Sequence, residues 1–279
     1  MSRTFTRCLI LAAGFLSSLA LVQVARAQDT DDAWKRLVMQ ALQAAGTNDY
    51  PKSEQFFQKA VHEAERFGLS DPRVGTTLNS LGLVYKAQKR FADAEAIFRR
   101  ALAVLEKAYG YQSIDVANVN FNISSVMAAQ GKEALSMPFL EKSLGTYRRQ
   151  LGGQSIKAAS VLCMIGDAHR AAKAWPEAEG PLKECAEIRE INGGVMNAEL
   201  ADALFSLAQV YEKQGKYALA DPRFRLAEKI REKTSGIMSP GFAEVLEAHA
   251  AMLRTTGRIV EADKDAALAA AVRRNETHK

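Results

Sequence analysis

Residue types that carry catalysis or hold metals are scarce in this chain. Its 279 residues include only 3 cysteines and 4 histidines, and aromatic residues make up 8%. No histidine is spaced from a Cys, Asp or Glu in a way that predicts a metal site or a nucleophile–base pair. His169 and His249 are instead expected to be interior residues with satisfied hydrogen bonds. The sequence therefore predicts no enzyme, no cofactor and no metal.

The charge balance gives little support for a nucleic-acid partner. The full chain carries 37 Lys and Arg against 32 Asp and Glu. Arg3, Arg7 and Arg26 fall within the segment 1–27, which contains no acid, so the remainder has 34 basic residues against 32 acidic ones. A nearly neutral chain lacks the basic footprint that nucleic-acid binding needs. We expect no nucleic-acid partner.

The N-terminal segment 1–27 has the three-part layout of a secretory signal peptide. A positive start is followed by an apolar stretch from Cys8 to Val24, and Ala25-Arg26-Ala27 supplies small residues for cleavage before Gln28. The apolar stretch is shorter than the ~20 residues of a membrane-spanning helix. We predict a cleaved signal peptide over 1–27, no stable membrane span after cleavage, and a periplasmic or secreted protein of bacterial type.

Glycines recur at a constant spacing at the ends of amphipathic runs, where a helix needs a left-handed C-terminal cap. They are Gly68, Gly110, Gly152, Gly194 and Gly236. A second series of the same period, for example Gln130-Gly131-Lys132, marks a tight turn in the middle of each repeat. Apolar residues between these markers recur at three- and four-residue steps, and no sustained two-residue alternation is present. The pattern predicts an all-α chain of about six antiparallel helix pairs.

Small residues occupy a fixed position in the first helix of the repeats. This position is held by Gly82, Ser124, Gly166, Ala208 and Ala250. Small side chains at such points let two helices approach closely. Pro138, Pro181 and Pro222 are expected in the first turn of the second helices, where proline removes no helical hydrogen bond.

The order large–small–Tyr on the first helix, then Ala, Phe, Ala on the second, resembles the tetratricopeptide repeat. The stretches LFSLAQVYEKQGKYALADPRFRLAEKIREKTSG and TLNSLGLVYKAQKRFADAEAIFRRALAVLEKAYG carry the resemblance best. The long period resembles the kinesin-light-chain type. The resemblance implies a right-handed solenoid over 28–272, followed by a polar C-terminal tail over 273–279. Because the first repeat is irregular, Phe57→Ala is expected to cost less stability than Phe98→Ala.

The two cysteines beyond the signal peptide are expected to be free. An oxidising compartment permits a bridge between Cys163 and Cys185. The repeat register, however, places Cys163 on the inner wall of the array and Cys185 in an interior position. We therefore favour two small buried thiols over a disulfide.

The same resemblance implies that the first helix of each pair lines a concave face. Through the repeat register, the candidate groove residues are Asn79, Leu83, Lys86, Asn118, Phe121, Asn122, Arg170, Phe205 and Gln209. Asparagine offers both a donor and an acceptor to an extended peptide, although Asn118 could equally cap or solvate a helix start. Phe121 and Phe205 are either exposed anchors, as aromatic residues are in many interfaces, or ordinary packing residues.

The family resemblance implies an interaction scaffold that binds a peptide segment or a partner protein along the concave face. The alternative is a structural, self-assembling homo-oligomer without a peptide ligand. Arg273-Arg274 and the charged residues after them disfavour end-to-end stacking at that end.

Overall fold

The structure, a computed structural model, describes residues 28–276, with side chains described for 28–274. Over this part of the chain it contains twelve helices and no strand. The helices are α1 (28–46), α2 (Tyr50–Glu65), α3 (Pro72–Ala87), α4 (Phe91–Tyr109), α5 (Ile114–Ala128), α6 (Glu133–Leu151), α7 (Ile156–Ala171), α8 (Trp175–Gly193), α9 (Ala198–Lys213), α10 (Tyr217–Ser235), α11 (Pro240–Thr255) and α12 (Ile259–Glu276). The predicted all-α architecture of helix pairs is confirmed.

Both ends of the chain extend beyond the described residues. The predicted signal peptide over 1–27 lies outside them, as do residues 277–279. The last helix continues to Glu276, so the start of the predicted polar tail is helical. Arg273 in this segment pairs with Glu247 through a 3.0 Å contact. None of the helices in the described range is long and apolar enough to cross a membrane.

The predicted glycine positions end the second helices with a left-handed backbone. Gly110, for example, follows α4 with a φ of 78°. The turns in the middle of the repeats also have a positive φ, 71° at Gly131. Lys89 and Lys173 stand at the equivalent positions of other repeats and adopt φ of 60° and 58°. The turn geometry is therefore repeated even where the sequence lacks glycine.

The chain forms two compact units, Met1–Val126 and Met127–Lys279, with the division inside α5. In the first unit α3 packs against both α2 and α4. In the second unit each helix from α6 to α12 packs against the next, and α9 also contacts α7 and α11. First helices of consecutive pairs therefore lie side by side, which is how stacked repeats bury a continuous core.

Phenylalanine side chains fill the core at equivalent positions of several repeats. Phe57, Phe98 and Phe224 are all fully buried. The first pair is also formed by full-length helices, since α1 covers 28–46. This burial removes the reason for expecting a smaller loss of stability at Phe57 than at Phe98.

The three prolines of the second helices lie deeper than expected. Pro138 lies inside α6, which begins at Glu133, and Pro181 and Pro222 lie inside α8 and α10 in the same way. The expectation of first-turn positions is wrong. Each proline is more than one turn into its helix, where it removes a backbone hydrogen bond.

Cys163 of α7 and Cys185 of α8 form a disulfide, with their Cα atoms 5.5 Å apart. The expectation of two free thiols is wrong. The register places a residue on one face of one helix, but the spacing between helices decides which residues meet. The two helices approach closely here, because a β-carbon at Gly166 would lie 2.4 Å from Leu182. This approach brings both cysteines within disulfide range.

Candidate functional site

In the first compact unit, the predicted groove residues lie in two rows that hydrogen bonds hold side by side. Asn79, Leu83 and Lys86 follow one another at one-turn steps on α3, and Asn118, Phe121 and Asn122 share one face of α5. The Asn122 side-chain amide donates to Asn79 Oδ1 over 2.9 Å, and Lys86 Nζ donates to Ser125 Oγ over 2.6 Å. We call these two rows the first-helix face.

The Asn79–Asn122 pair still has hydrogen-bonding groups that a ligand could use. Each side chain carries one carbonyl oxygen and one NH₂ group. The contact between Asn79 and Asn122 uses one group of each residue and leaves the amide of Asn79 and the carbonyl oxygen of Asn122. No other hydrogen bond occupies these two groups among the described residues. Both asparagines are half-buried, so the pair is held in place and still reachable.

Lys86 places a partly desolvated positive charge beside this pair. Burial lowers the pKa of the Lys86 ammonium group, because removal from water disfavours its charged form. Within the described part of the chain no carboxylate lies within ion-pairing distance of Lys86. A carboxylate or a carbonyl oxygen of a ligand would therefore gain a charge-assisted hydrogen bond here.

Two apolar side chains border the polar groups. Leu83 is 43% exposed, which is unusual among the leucines of α3, because Leu78 and Leu81 are buried. Phe121 is half-buried on the opposite row. The first-helix face thus combines an apolar contact area with a fixed donor and a fixed acceptor.

On the equivalent face in the second compact unit, the polar side chains form hydrogen bonds with one another. Asp167 Oδ1 accepts from Arg170 Nε over 3.1 Å and from Ser206 Oγ over 2.8 Å. Arg170 Nη1 donates to Gln209 Oε1 over 2.9 Å. The charge of Arg170 is balanced by Asp167, so this face offers a ligand less than the first-helix face of the first unit.

Phe205 is a core residue and not an exposed anchor. Only 7% of it is exposed, and its ring packs edge-on against Phe224 with centroids 6.1 Å apart. The prediction that Phe205 is a groove anchor is wrong, and the packing alternative holds. Phe205 contacts Phe224 of α10, and α9 is buried on nearly all sides.

Sequence reasoning identified most of these residues but missed how they pair. The bonded pairs Lys86–Ser125, Arg170–Gln209 and Asp167–Ser206 are each separated by 39 residues. This separation is about one helical turn shorter than the repeat period, which is the distance along the chain from Gly68 to Gly110. First helices of neighbouring repeats lie side by side, so a residue meets the equivalent residue of the next repeat or one a turn away. Complementary polar residues at this separation along the sequence could therefore have predicted the bonded pairs.

Family models for the tetratricopeptide repeat match residues 37–107, 115–191 and 201–234. The chain belongs to the tetratricopeptide-repeat family. A TPR repeat-containing protein of Dictyostelium discoideum is 24% identical over 123 residues, which are 43% of this chain and 7% of that protein. The chain thus spans a small fraction of this curated relative.

Solved structures share the helical-repeat fold at low sequence identity. BtubC (BKLC) from P. vanneervenii has a TM-score of 0.67 and 21% identity, covering 80% of this chain and 91% of that one. The nearly identical repeats of a putative kinesin light chain from Podosopora anserina have a TM-score of 0.62 and 15% identity, covering 73% and 96%. A Rap protein complexed with competence and sporulation factor has a TM-score of 0.56 and 15% identity, covering 88% and 76%. The predicted kinesin-light-chain-like repeat type is confirmed at the level of fold.

Proposed function

We propose that this tetratricopeptide-repeat chain is an exported interaction scaffold whose first-helix face holds an extended segment of a partner protein. The family fold is a scaffold for protein–protein interaction. A stack of helix pairs buries its apolar residues between neighbouring repeats and leaves one long wall free for binding. The finer assignment of a peptide to this wall is our proposal.

The Asn79–Asn122 pair is the observation that carries the proposal. An extended peptide presents alternating N–H and C=O groups, and the pair offers one acceptor and one donor at a fixed separation. The groups are already held by their mutual hydrogen bond, so little side-chain entropy is lost on binding. Leu83 and Phe121 supply the apolar contact, and Lys86 favours a segment that carries a carboxylate.

The comparison with the Rap protein is compatible with this assignment, since that helical-repeat structure holds competence and sporulation factor. At 15% identity the likeness concerns the fold alone, and no residue role is transferred. A catalytic role receives no support from the first-helix face, because its described residues include no nucleophile–base pair. We therefore propose a binding protein and not an enzyme.

Export is supported by two features of the chain. The segment 1–27 has the layout of a signal peptide, and the disulfide between Cys163 and Cys185 suits an oxidising compartment. Mass measurement of the protein recovered from its producing cells is expected to give a chain that begins at Gln28. Recovery of the full-length chain in the membrane would contradict export as a free protein.

Site-specific photo-crosslinking tests the binding face. A photo-reactive residue at position 83 is expected to capture a partner in cells, because Leu83 lies on the first-helix face and is 43% exposed. The matched control is position 109, since Tyr109 is 49% exposed at the end of a second helix. Capture at position 83 and not at position 109 supports the proposal. Equal capture at both positions would contradict it.

Substitution of the asparagine pair then tests the mechanism. Asn79→Ala combined with Asn122→Ala removes the hydrogen-bonding groups of the pair, each hydrogen bond being worth about 0.5–1.5 kcal/mol. We expect weaker capture by position 83 and an almost unchanged melting temperature, with Phe121→Ala acting in the same direction. If position 83 captures only a second copy of this chain, the self-assembly alternative is correct instead.

A further inference from the structure

His249 interrupts an aliphatic series in the core. The equivalent positions of the preceding repeats hold Leu81, Ile123, Ile165 and Leu207, all buried. His249 is also buried, with 1% of it exposed. An imidazole in a core position costs free energy unless its nitrogens are paired. The repeat that contains α11 and α12 therefore holds a polar group that packing alone does not require.

Glu228 departs from the repeat pattern in the same way and meets His249 in space. The equivalent positions of earlier repeats hold Leu102, Leu144 and Ala186. In the structure, Glu228 Oε1 of α10 lies 2.6 Å from His249 Nδ1 of α11. Two apolar positions of the repeat have thus become polar, and the two new side chains face each other.

A second carboxylate completes a cluster of three potential ligands. Asp265 of α12 places Oδ2 3.0 Å from the same Nδ1 atom of His249. One ligand atom from each of Glu228, His249 and Asp265 lies within 4.8 Å of the others. Over the described residues, no lysine or arginine lies within ion-pairing distance of Glu228 or Asp265. The imidazole is therefore the nearest group that can balance the two carboxylates.

The other imidazole nitrogen is already fixed by a carboxylate outside the cluster. His249 Nε2 lies 3.0 Å from Asp221 Oδ1, and Arg258 Nη1 lies 2.7 Å from the same oxygen. The arginine favours the ionised form of Asp221, which can therefore accept a hydrogen bond from His249 Nε2–H. In the tautomer that carries its proton on Nε2, the Nδ1 lone pair faces the cluster. The ring also stacks on Phe224, with centroids 5.4 Å apart. A histidine held by a carboxylate on one nitrogen is typical of metal-binding imidazoles.

His249 Nδ1 and Glu228 Oε1 are both buried without a properly aligned hydrogen bond, despite their short separation. A lone pair that faces two carboxylates at this range is unfavourable unless a proton or a bound cation lies between them. A cation in this position would satisfy the ligand atoms of Glu228, His249 and Asp265 together.

We propose that Glu228, His249 and Asp265 bind a divalent transition-metal cation, with Zn²⁺ the ion that best suits one imidazole nitrogen and two carboxylate oxygens. Such ligands bind Zn²⁺ at about 2.0–2.2 Å, and a mixed nitrogen and oxygen set favours it over Mg²⁺ or Ca²⁺. The dication balances the two carboxylates. The side chains of Glu228 and Asp265 are 18% and 21% exposed, which gives the ion a path from solvent.

The site would tie α10, α11 and α12 together. Each of the three ligands comes from a different helix. These repeats are otherwise joined by packing between adjoining helices and by ion pairs such as Arg258–Asp221 and Arg225–Glu261, so a metal cross-link would add to the stability of this pair of repeats. The site is independent of the first-helix face, and its failure would leave the proposed binding function untouched.

Metal titration of the untagged full chain tests the site. The purified protein is stripped with a chelator and titrated with Zn²⁺ by calorimetry. We expect one ion per chain and a higher melting temperature with the ion. Co²⁺ in place of Zn²⁺ is expected to give the visible absorption of a site with nitrogen and oxygen ligands. Absence of saturable binding to the stripped protein would overturn the proposal.

His249→Leu separates metal binding from folding. Leucine is the residue that Leu207 supplies at the equivalent position, so the variant is expected to fold without metal and to lose the Zn²⁺ response. Asp221→Asn keeps the three ligands, removes the charge that positions His249 and the ion pairs of Asp221 with Arg225 and Arg258, and is expected to weaken binding about 10–100-fold. His62→Gln is the control, since His62 is exposed on α2 and should leave binding unchanged. Equal Zn²⁺ binding by His249→Leu and the unmodified protein would also overturn the proposal.

Discussion

Gly82→Ala probes the close contact between α3 and α4 on which the repeat pattern depends. A β-carbon at Gly82 would lie 2.5, 2.7 and 2.9 Å from three ring atoms of Phe98. Phe98 is fully buried, so its ring has no free space to enter. Overpacking of this kind costs about 1–3 kcal/mol. Alanine regains ~1 kcal/mol of helix propensity, so we expect a net loss of up to about 2 kcal/mol.

Gly145→Ala is the matched control, because Gly145 lies inside α6 with nothing near its missing β-carbon. There the same substitution should stabilise the protein by about 0.4–1 kcal/mol. The measurement is the midpoint of urea denaturation followed by far-ultraviolet circular dichroism. Phe98→Leu should relieve the loss in the Gly82→Ala background, since residues in contact are coupled. A midpoint that rises in Gly82→Ala as much as it does in Gly145→Ala would refute the close-approach argument.

Two further stability predictions follow from the core and the disulfide. Phe57→Ala is expected to cost ~3–5 kcal/mol in urea denaturation, as much as Phe98→Ala, because both side chains are fully buried; a clearly smaller loss would show a loosely packed first repeat. Reduction of the Cys163–Cys185 bond, which joins residues 22 apart, is expected to cost ~3 kcal/mol of unfolding free energy. A double Cys→Ser variant should show no response to the reductant, and an equal response there would contradict this assignment.

The repeat period was readable because the same physical requirement recurs in every repeat. A left-handed backbone after a helix favours glycine, so Gly110 marks the end of a helix. A close contact between helices favours a small residue, so Gly82 marks the contact of α3 with α4. The prediction that the prolines lie in the first turn of their helices failed because proline is not confined to helix starts. A helix that is packed on its neighbours tolerates the loss of one hydrogen bond, so α6 begins more than one turn before Pro138.

The side-chain pairs were harder to predict because the repeat register assigns each residue to a face of its helix but does not give the distance between residues on different helices. Cys163 and Cys185 belong to different faces of the pattern, yet the closeness of α7 and α8 joins them. The three residues of the cluster around His249 show the converse. They lie on three successive helices, and their spacing along the chain matches no metal motif, so inspection of the neighbours of His249 in sequence finds nothing.

Alignment of the repeats with one another does find two members of this cluster, because His249 and Glu228 replace apolar residues at two positions of the repeat. A buried polar residue that breaks an internal aliphatic series must acquire partners. Those partners must come from the adjoining helices, since each repeat contacts only its neighbours. In a repeat protein, comparison of the repeats can therefore identify a polar site from the sequence alone.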